Sequence, residues 1–363
     1  MRVLVSKKSL ADALARVERI VPSRSSNPGL SLLRIDVQDD ALVLSGSNMD
    51  VDIRARLTAD ARGSGSFAVT AHVFGQIVRA LPGEDVTMEL TESEMQISSG
   101  NYTTKLQLVA ASSAPVLVFP ESHAGSIDAR LLSRALSSVK YAAAVADFQA
   151  VFRGVKLELG ETRTRAVATD GFRLAYYHLE AGTGLEADVI VPARSVDELL
   201  RVLDDGEVAL HLDAGQLSVE HGGYSLNLKL MDGTFPDYER VIPANYLVSI
   251  TLPALSLAEA VSRVALMADK SANNRVDLFV KDGQLQITAE GSFGRSQEAI
   301  DVTQEGTDSE IQLAYNSKYL IDALAPAAGD IRLRFSGINA SPSVVNDLGD
   351  PAYLAMVVPL RTS

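Results

Sequence analysis

The sequence predicts an α+β protein made of three repeated domains, each with two helices packed on antiparallel sheets. Three observations predict it. Residues 189–212, VIVPARSVDELLRVLDDGEVALHL, read as strand, helix and strand, with apolar residues first in a short run, then on one helical face, then alternating. The same pattern recurs at residues 67–90, FAVTAHVFGQIVRALPGEDVTMEL, and at 311–335, IQLAYNSKYLIDALAPAAGDIRLRF. The copies are spaced by 122 residues, which keeps Ile77, Leu199 and Ile321 in step. A period of that size is the size of a domain, where solenoid repeats run to roughly 20–50 residues. Alternating strands with a pair of helices give an α+β domain rather than a doubly wound parallel sheet.

Taken in order, the first domain spans residues 1–124. A strand at 2–5 leads to a helix for which Ser9 and Asp12 form a capping signature ahead of Leu10, Leu14 and Val17, ending before Pro22. Alternating runs at 32–37, 41–44 and 51–57 predict strands, followed by the first copy of the repeat unit. Runs at 95–98 and 102–109 then flank a Gly100-Asn101 turn, and residues 115–126 read as a linker. The second domain, 125–244, opens with a helix from about Asp128 whose apolar face is Leu131, Leu132, Ala135, Leu136 and Val139. Strands follow at 154–159 and 166–168, and Asp170-Gly171 predicts a hairpin, because both residues accept positive φ. Ser195 with Glu198 caps the repeat helix, and strands at 217–220 and 224–230 surround Gly222-Gly223. The third domain, 245–363, has Ser256 and Glu259 as its capping pair before Leu257, Val261, Val264 and Leu266. Asp282-Gly283 marks a further hairpin, and residues 353–360 form the final run.

Composition narrows the chemistry. The 363 residues are 47% apolar and 22% charged, which is ordinary globular composition. With no cysteine there is no disulfide, zinc–thiolate site or thiol nucleophile, as expected of a reducing, cytoplasmic setting. The N-terminus MRVLVSKKSL has too short an apolar run for a targeting segment, and no run approaches a membrane span. His72, His123, His178, His211 and His221 are scattered, without metal-ligand spacing. Gly63-Ser64-Gly65 lacks the remaining glycines of a dinucleotide loop and the lysine of a phosphate-binding loop, and no G-x-S-x-G elbow is present. Asp170, Asp232 and Asp237 are the carboxylates to weigh for catalysis, against their ordinary role in turns.

The net charge is −13, which argues against an ordinary nucleic-acid binder. The six predicted helical segments nonetheless sum to +3, leaving −16 on the remainder, and Lys7, Lys8 and Arg24 flank the first helix. Such polarity suits a polyanion held against the helices and repelled elsewhere.

Threefold repetition, two helices per domain, and the strings ATDGFRLA (168–175) and DGTFPDYERVIP (232–243) resemble the bacterial DNA polymerase III beta subunit, the replication sliding clamp family. The resemblance covers the whole chain. It implies a head-to-tail homodimer closing a ring around double-stranded DNA, helices inward and sheets outward, without sequence specificity. It also implies no catalysis, no cofactor and no metal. Partners would be the DNA polymerase III alpha subunit, a separate ATP-using clamp loader, and other clamp-binding polymerases and repair proteins, with no membrane. Closure would pair two sheet edges otherwise prone to aggregation, through Lys105, Leu106 and Leu108 of the first domain against Glu298 and Ile300 of the third.

The family's partner-peptide cleft maps by local match onto Phe152, Thr169, Gly171, Phe172, Arg173 and Leu174, then Pro236, Arg240 and Val241, then Asn316 and Tyr319. Met356, Val357, Val358, Pro359, Leu360 and Arg361 complete it. Apolar members would supply the binding free energy, at about 25 cal/mol per Å² buried, with Arg173 and Asn316 orienting the peptide. Phe172 stands where some relatives carry histidine, Thr362-Ser363 extend a tail that often ends in leucine, and residues 271–275 align poorly. Arg24 matches a DNA-contacting arginine, and Gln149 is the candidate for a second contact. The rival readings are a non-closing three-domain scaffold and a hydrolase using Asp170 and Asp237.

Overall fold

The computed structural model describes residues 1–145, 150–213, 215–338 and 341–361. They form six α-helices and four sheets, every strand pair antiparallel. None of the helices is long and apolar enough to cross a membrane.

The chain gathers into two compact units, Met1–Arg130 with Arg194–Leu230, and Leu131–Ala193 with Met231–Ser363. In the first, a five-stranded sheet runs Asp60–Arg62, Arg2–Ser6, Asp85–Leu90, Glu94–Ser99, Tyr102–Gln107. A nine-stranded sheet runs Val109–Ala110, Gly65–Thr70, Leu32–Gln38, Ala41–Ser47, Val51–Thr58, Tyr224–Lys229, Gln216–His221, Glu207–Asp213, Gly125–Asp128. In the second, the nine strands run Ala187–Pro192, Gly154–Leu159, Thr164–Thr169, Arg173–Leu179, Tyr353–Val357, Ser343–Asp347, Asp330–Phe335, Val248–Pro253, Thr303–Gly306. Its smaller sheet runs Gly294–Asp301, Gln284–Gly291, Arg275–Lys281, Glu310–Asn316. Each nine-stranded sheet joins strands of two successive repeats, so the middle repeat is shared between the units.

Helices α1 (Lys7–Ile20), α2 (Ala71–Ala80), α3 (Ala129–Val139), α4 (Ala193–Leu200), α5 (Ala254–Val264) and α6 (Ser317–Leu324) each follow a strand without a loop. Ladder pairing holds the chain extended up to the last residue before the helix: Leu32 faces Thr70, Gly154 faces Pro192 and Arg275 faces Asn316. This corrects the three capping pairs. Ser9, Ser195 and Ser256 lie at the third helical position, because the helices start at Lys7, Ala193 and Ala254. The α1 cap is Ser6, whose hydroxyl accepts from the Ser9 N–H at 3.5 Å, and Ser195 is buried. Pro192 and Pro253 stand just before α4 and α5, where a missing N–H costs nothing and φ near −65° is already suitable.

The apolar stripe of α1 is Leu10, Leu14 and Val17, all buried with Ala13 and Ile20. On α3, Leu132, Ala135, Leu136 and Val139 are buried, but Leu131 is 40% exposed and falls off the stripe. The linker is shorter than expected, because Gly125–Asp128 pairs as a strand with Glu207–Asp213. At both Asp282-Gly283 and Gly222-Gly223 the two turn residues have positive φ, as a tight hairpin requires. Asp170-Gly171 differs. Only Gly171 has positive φ, at 88°, and the connection from Thr169 to Arg173 has three residues.

Candidate peptide-binding cleft

The turn 170–172 is held by its aspartate. The Asp170 carboxylate accepts the backbone N–H groups of Phe172 (2.9 Å) and Arg173 (3.0 Å), while the Thr169 hydroxyl donates to the Arg173 carbonyl at 2.7 Å and accepts the Gly171 N–H at 3.1 Å. With its polar atoms satisfied, the turn presents Phe172 outward, 61% exposed.

Arg173 starts the next strand, and its side chain is nearly buried. It pairs with Asp170 at 3.0 Å and with Asp322 of α6, while its guanidinium lies 4.5 Å from the Tyr319 ring centroid and 5.5 Å from that of Tyr141. Burial pushes the Tyr141 and Tyr319 hydroxyls up from the ordinary phenol range, so both rings stay neutral faces for the cation. Arg173 therefore pins α6 to the turn through its two carboxylate pairs. Asn316 likewise has a structural task, its side-chain oxygen capping α6 by accepting the Lys318 N–H at 3.0 Å.

Leu174 faces Met356 and Arg173 faces Val357 across the strand pair, and the Val358 N–H donates to the Phe172 carbonyl at 2.8 Å. The Leu360 N–H reaches the Ala314 carbonyl at 2.7 Å, tying the C-terminal segment to the smaller sheet. Pro359 interrupts the predicted final run, whose strand stops at Val357. Leu174, Met356 and Val357 are buried, and Leu174 belongs to an apolar cluster with Val167, Ile190, Phe235, Tyr238, Val344 and Met356.

The segment after Leu230 packs on the same cluster. Phe235 packs edge-on against Phe152, ring centroids 6.4 Å apart, and the Tyr238 hydroxyl donates to Glu158 at 3.0 Å. Glu239 pairs with Arg165 at 2.8 Å. Burial alone would raise the Glu158 carboxyl, but hydrogen bonds from Lys156 and Tyr238 and the charge of Arg165 outweigh it and hold it below the usual carboxylate range. Pro236 and Val241 are then left on the surface, Val241 at 49% exposure, with Arg240 reaching outward from its pair with Asp237 at 2.7 Å. The structure thus brings the predicted cleft residues onto one unit. Phe172, Pro236, Arg240, Val241 and Arg361 are exposed; Phe152, Thr169, Arg173, Leu174, Met356, Val357 and Pro359 are buried; Tyr319, Val358 and Leu360 lie between.

The sequence reading missed Phe235 and Tyr238, although both stand in the string that supplied Pro236, Arg240 and Val241. It also missed Asp322, which has no signal in the sequence because its partner is 149 residues away. The carboxylates weighed for hydrolysis are engaged elsewhere, Asp170 in its turn and Asp237 with Arg240. Among the described residues no cluster of His, Cys, Asp or Glu could hold a metal.

Of the proposed DNA contacts, Arg24 is exposed in the loop after α1, and Gln149 lies outside the described residues. Tyr102–Gln107 and Gly294–Asp301 are edge strands of their sheets. Lys105 pairs with Glu94 at 2.6 Å and Glu298 with Arg263 at 2.7 Å, Leu106 and Ile300 are half-buried, and Leu108 is buried within its own unit.

Family models of the DNA polymerase III beta subunit match this chain in succession: the N-terminal domain at residues 1–118, the central domain at 126–237 and the C-terminal domain at 239–361. The chain belongs to the DNA polymerase III beta subunit family. It is 32% identical to the beta sliding clamp of Caulobacter vibrioides, over 99% of this chain and all of that protein. To the beta sliding clamp of Escherichia coli K12 it is 28% identical with the same coverage. Crystal structures of the Bacillus subtilis DNA polymerase sliding clamp and of the Pseudomonas aeruginosa clamp bound to griselimycin each superpose with a TM-score of 0.93. Their identities are 25% and 28%, and in both cases both chains are fully covered. Family membership makes this a non-catalytic processivity subunit, and the hydrolase reading falls with it.

Proposed function

We propose that this protein is the sliding clamp of a bacterial replicase: a cytoplasmic ring-shaped homodimer that encircles duplex DNA and tethers polymerase and other clients through the cleft. The observation that carries the reading is the match to all three beta subunit domains in order, on a chain whose second unit carries an exposed apolar rim over a floor fixed by Arg173. Domain limits of 1–124, 125–244 and 245–363 follow the repeat. The replicative polymerase subunit and repair polymerases dock in the cleft, and a separate loader opens the ring. The acidic total fits a protein that holds DNA by topology, since strong phosphate contacts would impede sliding.

Ring closure uses the edges Tyr102–Gln107 and Gly294–Asp301 of two copies, with Lys105, Leu106, Glu298 and Ile300 facing the joint. Next to the second edge, Leu266 and Phe293 are 78% and 91% exposed, an apolar surface that a second copy would cover. Arg24 and Gln149 contact DNA.

The test is retention on a nicked circular plasmid after loading with a matched loader and ATP, followed by a high-salt wash and linearisation. Retention on the circle with release on cutting is expected. Salt-sensitive loss from both forms, or a monomer that is never retained, favours the open scaffold instead.

A further inference from the structure

The first unit contains a cavity of about 690 Å³ that the clamp reading does not use. Its size lies within the range of small-ligand clefts, roughly 300–1,000 Å³. Three neighbouring strands, Leu32–Gln38, Ala41–Ser47 and Val51–Thr58, form its floor with Tyr224–Lys229, and Val116, Leu117 and Phe119 form a wall.

Charge is unevenly committed around it. Arg34 is paired with Asp36 at 2.9 Å, and Asp36 also accepts from Ser66. Arg56 is paired with Asp40 at 3.1 Å and donates to Gln38 at 2.6 Å. Arg54 is different: it donates to the Ser225 hydroxyl at 3.0 Å and lies 4.5 Å from the Phe119 ring centroid, and among the described residues it has no carboxylate partner. A guanidinium has five N–H donors and is costly to withdraw from water without acceptors. This one is half-buried at the cavity wall.

The remaining lining limits what could bring the acceptor. Asp36 and Glu220 share the cavity, and a nucleic-acid strand would set one negative charge per nucleotide against them with one uncommitted cation to offset it. A single carboxylate brings one negative charge against that one cation. Val43 and Phe119 add buried apolar wall, and Val116 and Val118 continue an apolar surface along the same segment at 75% and 79% exposure. An isolated small acid would leave that surface bare, whereas a peptide with apolar residues beside its acidic one covers it.

We propose that this cavity is a second docking site, taking an acidic peptide segment whose carboxylate pairs with Arg54 while flanking apolar side chains pack on Phe119 and Val116. The site lies on the first unit and shares no residue with the cleft.

The experiment titrates the full-length protein with a fluorescein-labelled Leu-Glu-Leu-Phe amide, following anisotropy and backbone amide shifts. Saturable binding is expected, with shifts at Arg54, Val116 and Phe119, and with affinity at least about tenfold weaker in Arg54→Gln, which loses the charged hydrogen-bonding partner, and in Val116→Asp, which removes apolar contact and sets a like charge beside the peptide. Val116 is largely exposed, so that variant keeps the test valid if Arg54→Gln fails to fold. The proposal is overturned if the glutamine analogue of the peptide binds equally well, if both variants bind as the parent does, or if Val241→Asp in the cleft abolishes the signal. Displacement by acetate as effective as by unlabelled peptide would mean a small-anion site and would also overturn it. So would oligothymidylate saturating the same amides where the peptide does not.

Discussion

The two segments that connect successive repeats run over equivalent strands and pack in opposite ways. Residues 231–246 bury Phe235 and Tyr238 and pack Ile242 and Tyr246 against one apolar cluster, with Tyr246 also lying 4.0 Å beneath the Arg334 guanidinium. Residues 115–124 bury Phe119 but leave Val116 and Val118 in solvent, and a cavity opens beside them. The repeat offset of 122 explains the contrast. It sets Ser45 against Val167 and Arg54 against Tyr176, so at these two positions a polar or charged side chain in the first face is replaced by an apolar or aromatic one in the second, while Arg34 and Asp36 are matched by Lys156 and Glu158. The backbone plan is common to both; side-chain chemistry on one face decides whether the connecting segment seals it or leaves it open.

The largest expected break in this comparison comes from Phe235→Ala, which empties the sealed side and should cost about 3–5 kcal/mol of stability in urea denaturation. Asp322→Asn comes next. It leaves Arg173 with one carboxylate, and a loss of about 1–3 kcal/mol is expected, together with weaker capture of a client peptide by a cleft whose floor has loosened. A smaller effect separates the segments by pH. Glu158, which anchors Tyr238, has its carboxyl held below the usual value of 4.5, so its contribution is full above that pH and fades as acid titrates the folded protein. Thermal melts of Glu158→Gln should therefore lie below the parent at neutral pH and converge with it in acid; a constant gap would remove Glu158 as an anchor. The smallest effect is expected at Val118→Ser, within about 0.5 kcal/mol, because the side chain already stands in water. A cost comparable to that of Phe235→Ala would mean the two segments are not different after all.

Much of this was legible in local pattern. The 3.6-residue stripe gave α1 with Leu10, Leu14 and Val17, and alternation gave the strands around Gly222-Gly223, because burial on one side imposes those periods directly. Helix starts were misplaced at Ser9, Ser195 and Ser256, where serine and glutamate at capping spacing were outweighed by a strand paired up to the helix. The cleft list came from a family resemblance in which Arg173 and Phe172 are equally prominent, yet one is buried in ion pairs and the other stands in water.

The sequence by itself determined the threefold repeat, the order of strands and helices, the absence of cysteine chemistry and the membership of one family, since these depend on residue identity and short spacing. Only the tertiary structure decided that Tyr224–Lys229 pairs with Val51–Thr58 and Arg173–Leu179 with Tyr353–Val357, dividing the middle repeat between two sheets. It alone showed that Asp322 holds Arg173 and that Arg54 has no carboxylate partner among the described residues. Backbone pairing and charge pairing join residues more than a hundred positions apart, and no local period records which distant group will meet an unsatisfied donor or strand edge.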